Sequence, residues 1–160
     1  SIEGQVLQIF ADAYTPVVDS SAIPTGEIAS VEGTPMDFRT EKQIGQDIRA
    51  DFEQLHFTGG YDHNYVLGRP GEKKIMANAY CRESGIALEA ATDCCGVQFY
   101  AGNFIGEQTG KGGASYHDRS AFCLESQFYP NAVNEPDFPS PVVKAGDTYH
   151  TETSYRFYLR

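Results

Sequence analysis

Three side chains able to handle a proton or a hydroxyl group stand out: Asp62, Gln98 and Glu125. Glu125 lies in the run from Ala121 to Pro130, which alternates as a strand over residues 121–128. Phe122, Leu124, Ser126 and Phe128 share one face; Cys123, Glu125 and Gln127 share the other. An acid and an amide therefore stand on one face of an otherwise apolar strand. Folding alone explains such a carboxylate poorly, because taking its charge from water is costly without a partner. The competing explanation is a rim residue kept wet at a strand end. In Gly60 to Leu67 a strand places Asp62 and Asn64 together and His63 opposite. A charged acceptor beside an amide, flanked by aromatic surface, is the chemistry that recognises sugar hydroxyls. The competing explanation is a turn in which Asp62 caps backbone amides and His63 is a core histidine. Gln98 sits alone among aromatics between Gly96 and Phe104. No second His or Cys stands at metal-binding spacing from His63, so no metal site is expected.

The elements that must position these groups read mainly as strands. Gln5 to Phe10 is strand-like, and Tyr14 to Val18 is a second short extended piece. Pro24 and Gly26 bend the chain into Ile28. Asp37 and Arg39 are expected to pair as a structural anchor. Thr40 has the character of an N-cap, and Ile44 and Ile48 stand four apart, which predicts a short helix over Thr40 to Ala50, weakened by Gly45. Ile75 to Cys81 and Ile86 to Ala90 alternate about Ser84-Gly85 and predict a hairpin. Gly106 to Gly113 is glycine-rich but fits neither common phosphate-binding fingerprint. After a Pro- and Asn-rich loop at 131–141, alternation resumes over 149–158 as a last strand.

A chain of 160 residues is long enough for one domain with a core. Ten tyrosines and ten phenylalanines argue against disorder, and 16 glycines with 8 prolines punctuating short apolar runs favour β structure. A net charge of −10 without basic clusters argues against nucleic acid and anionic membrane as partners. There is no run of 18 apolar residues. Cys81, Cys94, Cys95 and Cys123 fit no zinc pattern, and the adjacent pair is poorly placed to bond to itself. Buried free thiols in a reducing compartment, the cytoplasm, are expected.

Several stretches in one order resemble the C-terminal half of the aldose 1-epimerase, or galactose mutarotase, family. They are Ile23-Pro24-Thr25-Gly26-Glu27-Ile28, Gly60-Tyr61-Asp62-His63-Asn64, Gly96 to Phe104, Gly110-Lys111-Gly112-Gly113 and Cys123-Leu124-Glu125-Ser126-Gln127. Asn131-Ala132-Val133-Asn134 and Phe138-Pro139-Ser140 follow. The resemblance covers residues 5 to 157. It implies an all-β fold, a large antiparallel β-sandwich (a supersandwich) with a sugar cleft on one face. Here residues 1–160 would form the C-terminal part of a single such domain, incomplete at its N-terminal side. It also implies interconversion of the α and β anomers of aldohexoses such as galactose and glucose. A carboxylate takes the proton from the C1 hydroxyl while an imidazolium protonates the ring oxygen; the ring opens, the C1–C2 bond rotates and the ring closes. By motif, Glu125 is the base, and Asp62 and Gln98 are sugar contacts. No cofactor is called for.

One departure qualifies the match. The family's acid histidine lies in an Asn-His-aromatic motif that would precede residue 1, and none of His56, His63, His117 and His150 occupies it. The chain is therefore expected to be a fragment or one half of a split protein, with its own N-terminal half and a monosaccharide as partners. The alternatives are a non-catalytic carbohydrate-binding module on the same fold, or an assembly domain without sugar affinity. A relative acting on hexose-6-phosphates would want a basic phosphate pocket, which the sequence lacks.

Overall fold

A computed structural model describes all 160 residues. Two five-stranded antiparallel sheets face each other. The first contains β1 (Val6–Ile9), β4 (Lys42–Gln43), β6 (Lys74–Tyr80), β7 (Ile86–Thr92) and β12 (Thr153–Leu159), in the order β12-β7-β6-β1-β4. The second contains β2 (Ala13–Tyr14), β3 (Ala29–Ser30), β5 (Asp62–Val66), β8 (Gly96–Tyr100) and β11 (Cys123–Gln127), in the order β11-β8-β5-β2-β3. A small ribbon of β9 (Gln108–Thr109) and β10 (Ser115–Tyr116) stands apart. The β-sandwich expected from the sequence is thus observed.

Alternation decides what each strand buries. Leu7, Ile9, Met76, Ala77 and Ala90 from the first sheet meet Tyr65, Val97, Phe99 and Leu124 from the second in one core. Phe38, Tyr61 and Phe99 pack ring against ring there, with centroids 5.0–5.5 Å apart. Tyr61 and Tyr65 reach out of this cluster to donate their hydroxyls to the Pro35 and Met36 carbonyls, at 3.0 and 3.1 Å. Buried tyrosines find a polar partner at the core boundary in this way. The Asp37–Arg39 pair forms beside that turn through two hydrogen bonds of 3.0 and 2.8 Å.

The predicted hairpin is β6–β7, but a bulge between Ile75 and Ala77 turns Ile75 outward and puts Met76 in the core. The last strand begins at Thr153 rather than Tyr149. The predicted helix over Thr40 to Ala50 is absent. Lys42 and Gln43 instead pair with Leu7 and Val6, and Ile44–Gln46 forms one 3-10 turn. Gly45 lies against Glu3 so closely that a Cβ there would collide with it. Ile44 and Ile48 are buried as a helical face would bury them, so the i, i+4 spacing marked the core and not the helix. Pairing with an otherwise open strand edge outweighed weak helix propensity. The α-helix is α1 (Glu53–Thr58), one and a half turns ending at Gly59.

The strand that carries Glu125 lies at the edge of its sheet, laddered only to β8. β12 holds its other side. Tyr155 donates its hydroxyl to the Leu124 carbonyl at 2.7 Å, and the Thr153 hydroxyl bridges Ser126 at 2.6 Å and Thr92 at 3.0 Å. Further along β12 the apolar side chains lose cover: Phe157 is 69% and Leu159 80% exposed. Leu7→Ala and Phe99→Ala should therefore each cost about 3–5 kcal/mol of unfolding free energy, and Leu159→Ala less than about 0.5 kcal/mol. Urea unfolding of the three variants checks where the core ends.

Candidate active site

The pairing register brings the three candidates together. Asn64 lies directly across from Gln98, and Gln98 directly across from Glu125, so one row runs over β5, β8 and β11. Asp62, Tyr100 and Cys123 form the next row, and Val66, Gly96 and Gln127 the row on the other side. Side chains opposite one another in adjacent strands share a face. Asp62, Asn64, Gln98, Glu125 and Gln127 consequently project from the face turned away from the core. The intervening residues His63, Tyr65, Val97, Phe99 and Leu124 are buried beneath them.

A line of hydrogen bonds joins four of these groups. The Gln98 Nε2 donates to Asp62 Oδ1 at 2.7 Å. The Gln127 Nε2 donates to Gln98 Oε1 at 3.0 Å and to Asn64 Oδ1 at 3.2 Å. Gln127 reaches Asn64 across β8, over Gly96; any side chain at 96 would run into the Asn64 amide and the Tyr129 ring. Glu125 stands at the end of the row, exposed and in no ion pair. Its carboxylate differs in this from those of Asp37, Glu3 and Glu41, each tied to an arginine. A recess along β11 is lined by Glu125, Phe122, Leu88, Tyr155 and Phe157, which supplies the apolar and aromatic surface beside the acid.

The electrostatics follow the geometry. Burial pushes the Asp62 carboxyl above its ordinary 3.8, and the Gln98 hydrogen bond pulls it part of the way back. The Cys123 thiol is pushed up by desolvation, then by the neighbouring charges of Glu125 and Asp62. The Tyr155 hydroxyl is raised by burial and then by Glu125. Cys123 and Tyr155 thus both feel the negative charge of this face.

No histidine joins this face. His63 is the core histidine that the alternation allowed, packed edge-on to Tyr14 with ring centroids 6.0 Å apart. Burial lowers it to about 4, so it is neutral at pH 7. Its Nδ1 accepts the Asp62 backbone N–H at 3.2 Å and helps place Asp62 from below. His56 lies 3.5 Å from Asp51 and His117 2.7 Å from Glu107, both away from the three strands. His150 belongs to the segment before β12 and lines a separate recess with Phe128 and Tyr149. The four cysteines are free, as expected, but only Cys94 and Cys95 are buried.

Gln127 is the member of the network that the sequence did not single out. Alternation put it on Glu125's face; its link to Gln98 and Asn64 depends on strands 29 and 63 residues away. Asp62 yields a direct test. Its folded carboxyl binds a proton more tightly than the unfolded one. Ionising it therefore costs stability, with no cost below the unfolded pKa and the full cost above the raised folded one. Asp62→Asn keeps an acceptor for Gln98 and removes that cost. Its urea midpoint should exceed the parent's at pH 7 and converge with it near about pH 3. A lower midpoint at pH 7 would show that ionised Asp62 supports the fold.

Comparison with known proteins places the chain. The family model described as aldose 1-epimerase matches residues 1–156. Galactose mutarotase of Bos taurus is 45% identical over 150 residues, covering 93% of this chain and 42% of that protein. Aldose 1-epimerase of Escherichia coli (strain K12) is 36% identical over 159 residues, covering 98% and 45%. The crystal structure of a GalM/aldose epimerase homologue from C. elegans superposes with a TM-score of 0.81 at 27% identity, covering 99% of this chain and 47% of that one. The chain spans less than half the length of the curated relatives it matches. By its sequence over residues 1–156 and by its fold, this chain belongs to the aldose 1-epimerase family.

Proposed function

We propose that this chain carries the base and part of the sugar site of an aldose 1-epimerase, which interconverts the α and β anomers of an aldohexose such as galactose or glucose. The observation that carries the proposal is the single face on which Gln98 and Glu125 stand directly across from one another and Asp62, one row along, is hydrogen-bonded to Gln98. Anomer exchange requires a proton to leave the C1 hydroxyl, and a base must be positioned within hydrogen-bond reach of it. Glu125 is assigned that role: it stands in no ion pair and beside an aromatic recess. Asp62 and Gln98 hold sugar hydroxyls. The Asp62 Oδ1 is occupied by Gln98, so its second oxygen is the one offered to the substrate. Asn64 and Glu125 are two strand spacings apart, about 10 Å, which is room for one sugar ring.

Protonating the ring oxygen needs an acid on the opposite side of the sugar. None of this chain's histidines faces the row, so the acid is assigned to the remainder of a longer protein, the N-terminal half of the sandwich. Two observations support a second half. The matched relatives are more than twice as long as this chain. Phe157, which lines the Glu125 recess, and Leu159 further along β12 lie bare, as they would where further strands pack. The four unpaired thiols support a reducing, cytoplasmic setting. No helix is long and apolar enough to cross a membrane.

Optical rotation of freshly dissolved α-galactose tests the roles. The chain alone should change the rate little over buffer. Adding a separately produced N-terminal half from a full-length relative should accelerate it, and Glu125→Gln should remove about 100-fold or more of that acceleration. Full activity of the chain alone would contradict the missing acid; full activity of Glu125→Gln in the reconstituted protein would contradict the base.

A further inference from the structure

We propose that Gln127 is the positioning residue of this site: its side-chain amide sets which way round the Gln98 amide lies and so keeps the Gln98 NH2 group on Asp62. A carboxylate only accepts hydrogen bonds, whereas a carboxamide has a donating and an accepting end of nearly equal shape. The Gln98 amide could meet its neighbours either way round, and only one way serves Asp62. With Nε2 on Asp62 at 2.7 Å, Oε1 faces β11 and needs a donor there. Gln127 provides it at 3.0 Å. The same Nε2 hydrogen-bonds the Asn64 oxygen at 3.2 Å, so Gln127 is itself held at two points.

The order of donors and acceptors is one-way. Turning the Gln98 amide round would set its oxygen against the Asp62 carboxylate and its NH2 against that of Gln127. Turning Asn64 would set two NH2 groups against each other. The line therefore ends on Asn64 Nδ2, which is buried without a partner. A buried orphan donor costs stability, and its presence at the far end fits an order imposed from Asp62. Gly96 leaves the passage through which Gln127 reaches Asn64. Gln127 thus acts on a sugar only through Gln98 and Asp62, leaving the second Asp62 oxygen fixed in direction. That last consequence rests on the sugar site proposed above; the positioning itself does not.

Gln127→Glu tests it in the intact chain, because a carboxylate at 127 can only accept. Gln98 and Asn64 must then turn their NH2 groups toward position 127, and the Gln98 oxygen meets the Asp62 carboxylate. Asp62 loses its donor and faces the Gln98 oxygen instead, on the same face as Glu125. The Asp62 carboxyl titration, followed by carbon NMR at Cγ, should move upward. The melting temperature should fall, and the galactose dissociation constant from ligand-observed NMR should rise about tenfold or more. Combining Asp62→Asn with Gln127→Glu reverses every donor and acceptor at once. It should recover the lost melting temperature without recovering galactose binding. Because Asp62→Asn is itself expected to stabilise the chain, the gain it brings must be larger in Gln127→Glu than in the parent; an equal or smaller gain, or an unchanged Asp62 titration in Gln127→Glu, would overturn the proposal. If the unsubstituted chain binds no galactose while the titration and the rescue behave as stated, Gln127 stands as the positioning residue and the sugar assignment falls.

Discussion

Side chains alternate between faces along a strand, so a one-residue slip between β8 and β11 would carry Glu125 into the core and Leu124 out to the site. The site exists because that slip is forbidden. Leu124 is buried against Phe99, the row below, and Val97 and Phe99 are sealed between the sheets. β11 has no strand on its outer side, and an edge strand is the one most free to shift. Here the Tyr155 hydroxyl on the Leu124 carbonyl and the Thr153 hydroxyl on Ser126 supply the missing restraint. The core chemistry of one face thus fixes the polar chemistry of the other.

That polar face is not arranged for stability. Asp62 is held partly out of water with one amide for company, and burial outweighs the hydrogen bond in its effect on the carboxyl. The Asn64 NH2 group is buried and unpaired. Other charges of the chain are paired: Glu3 lies between Arg49 and Arg119, Lys42 on Asp47, and Arg160 on Glu41. A carboxyl raised by burial and an unpaired amide on one polar face are a pattern expected where binding or catalysis competes with folding.

Much of this was legible in period-two alternation. It placed Glu125 with Gln127 and Asp62 with Asn64, with His63 on the opposite face, because alternation is a local property of extended chain. The helix expected over Thr40 to Ala50 failed where tertiary pairing intervened: the i, i+4 isoleucines were buried as foreseen, but by a strand and a 3-10 turn laid along β1. The bulge that turned Ile75 outward was invisible for a similar reason, since it depends on the register with β7. Gln127's partners lie in β5 and β8, and nothing in the local sequence of β11 announces them. Position on a face could be read from the sequence; the neighbour across the sheet could not.

The most direct measurement is a galactose titration of the isotopically labelled chain, with the side-chain amides of Asn64, Gln98 and Gln127 and the carboxyls of Asp62 and Glu125 followed by NMR. A sugar seated on the row formed by β5, β8 and β11 would shift these five groups together, with a single dissociation constant. Shifts confined to the recess around Phe128, Tyr149 and His150, or no shifts up to the solubility limit of the sugar, would contradict a sugar site on this face.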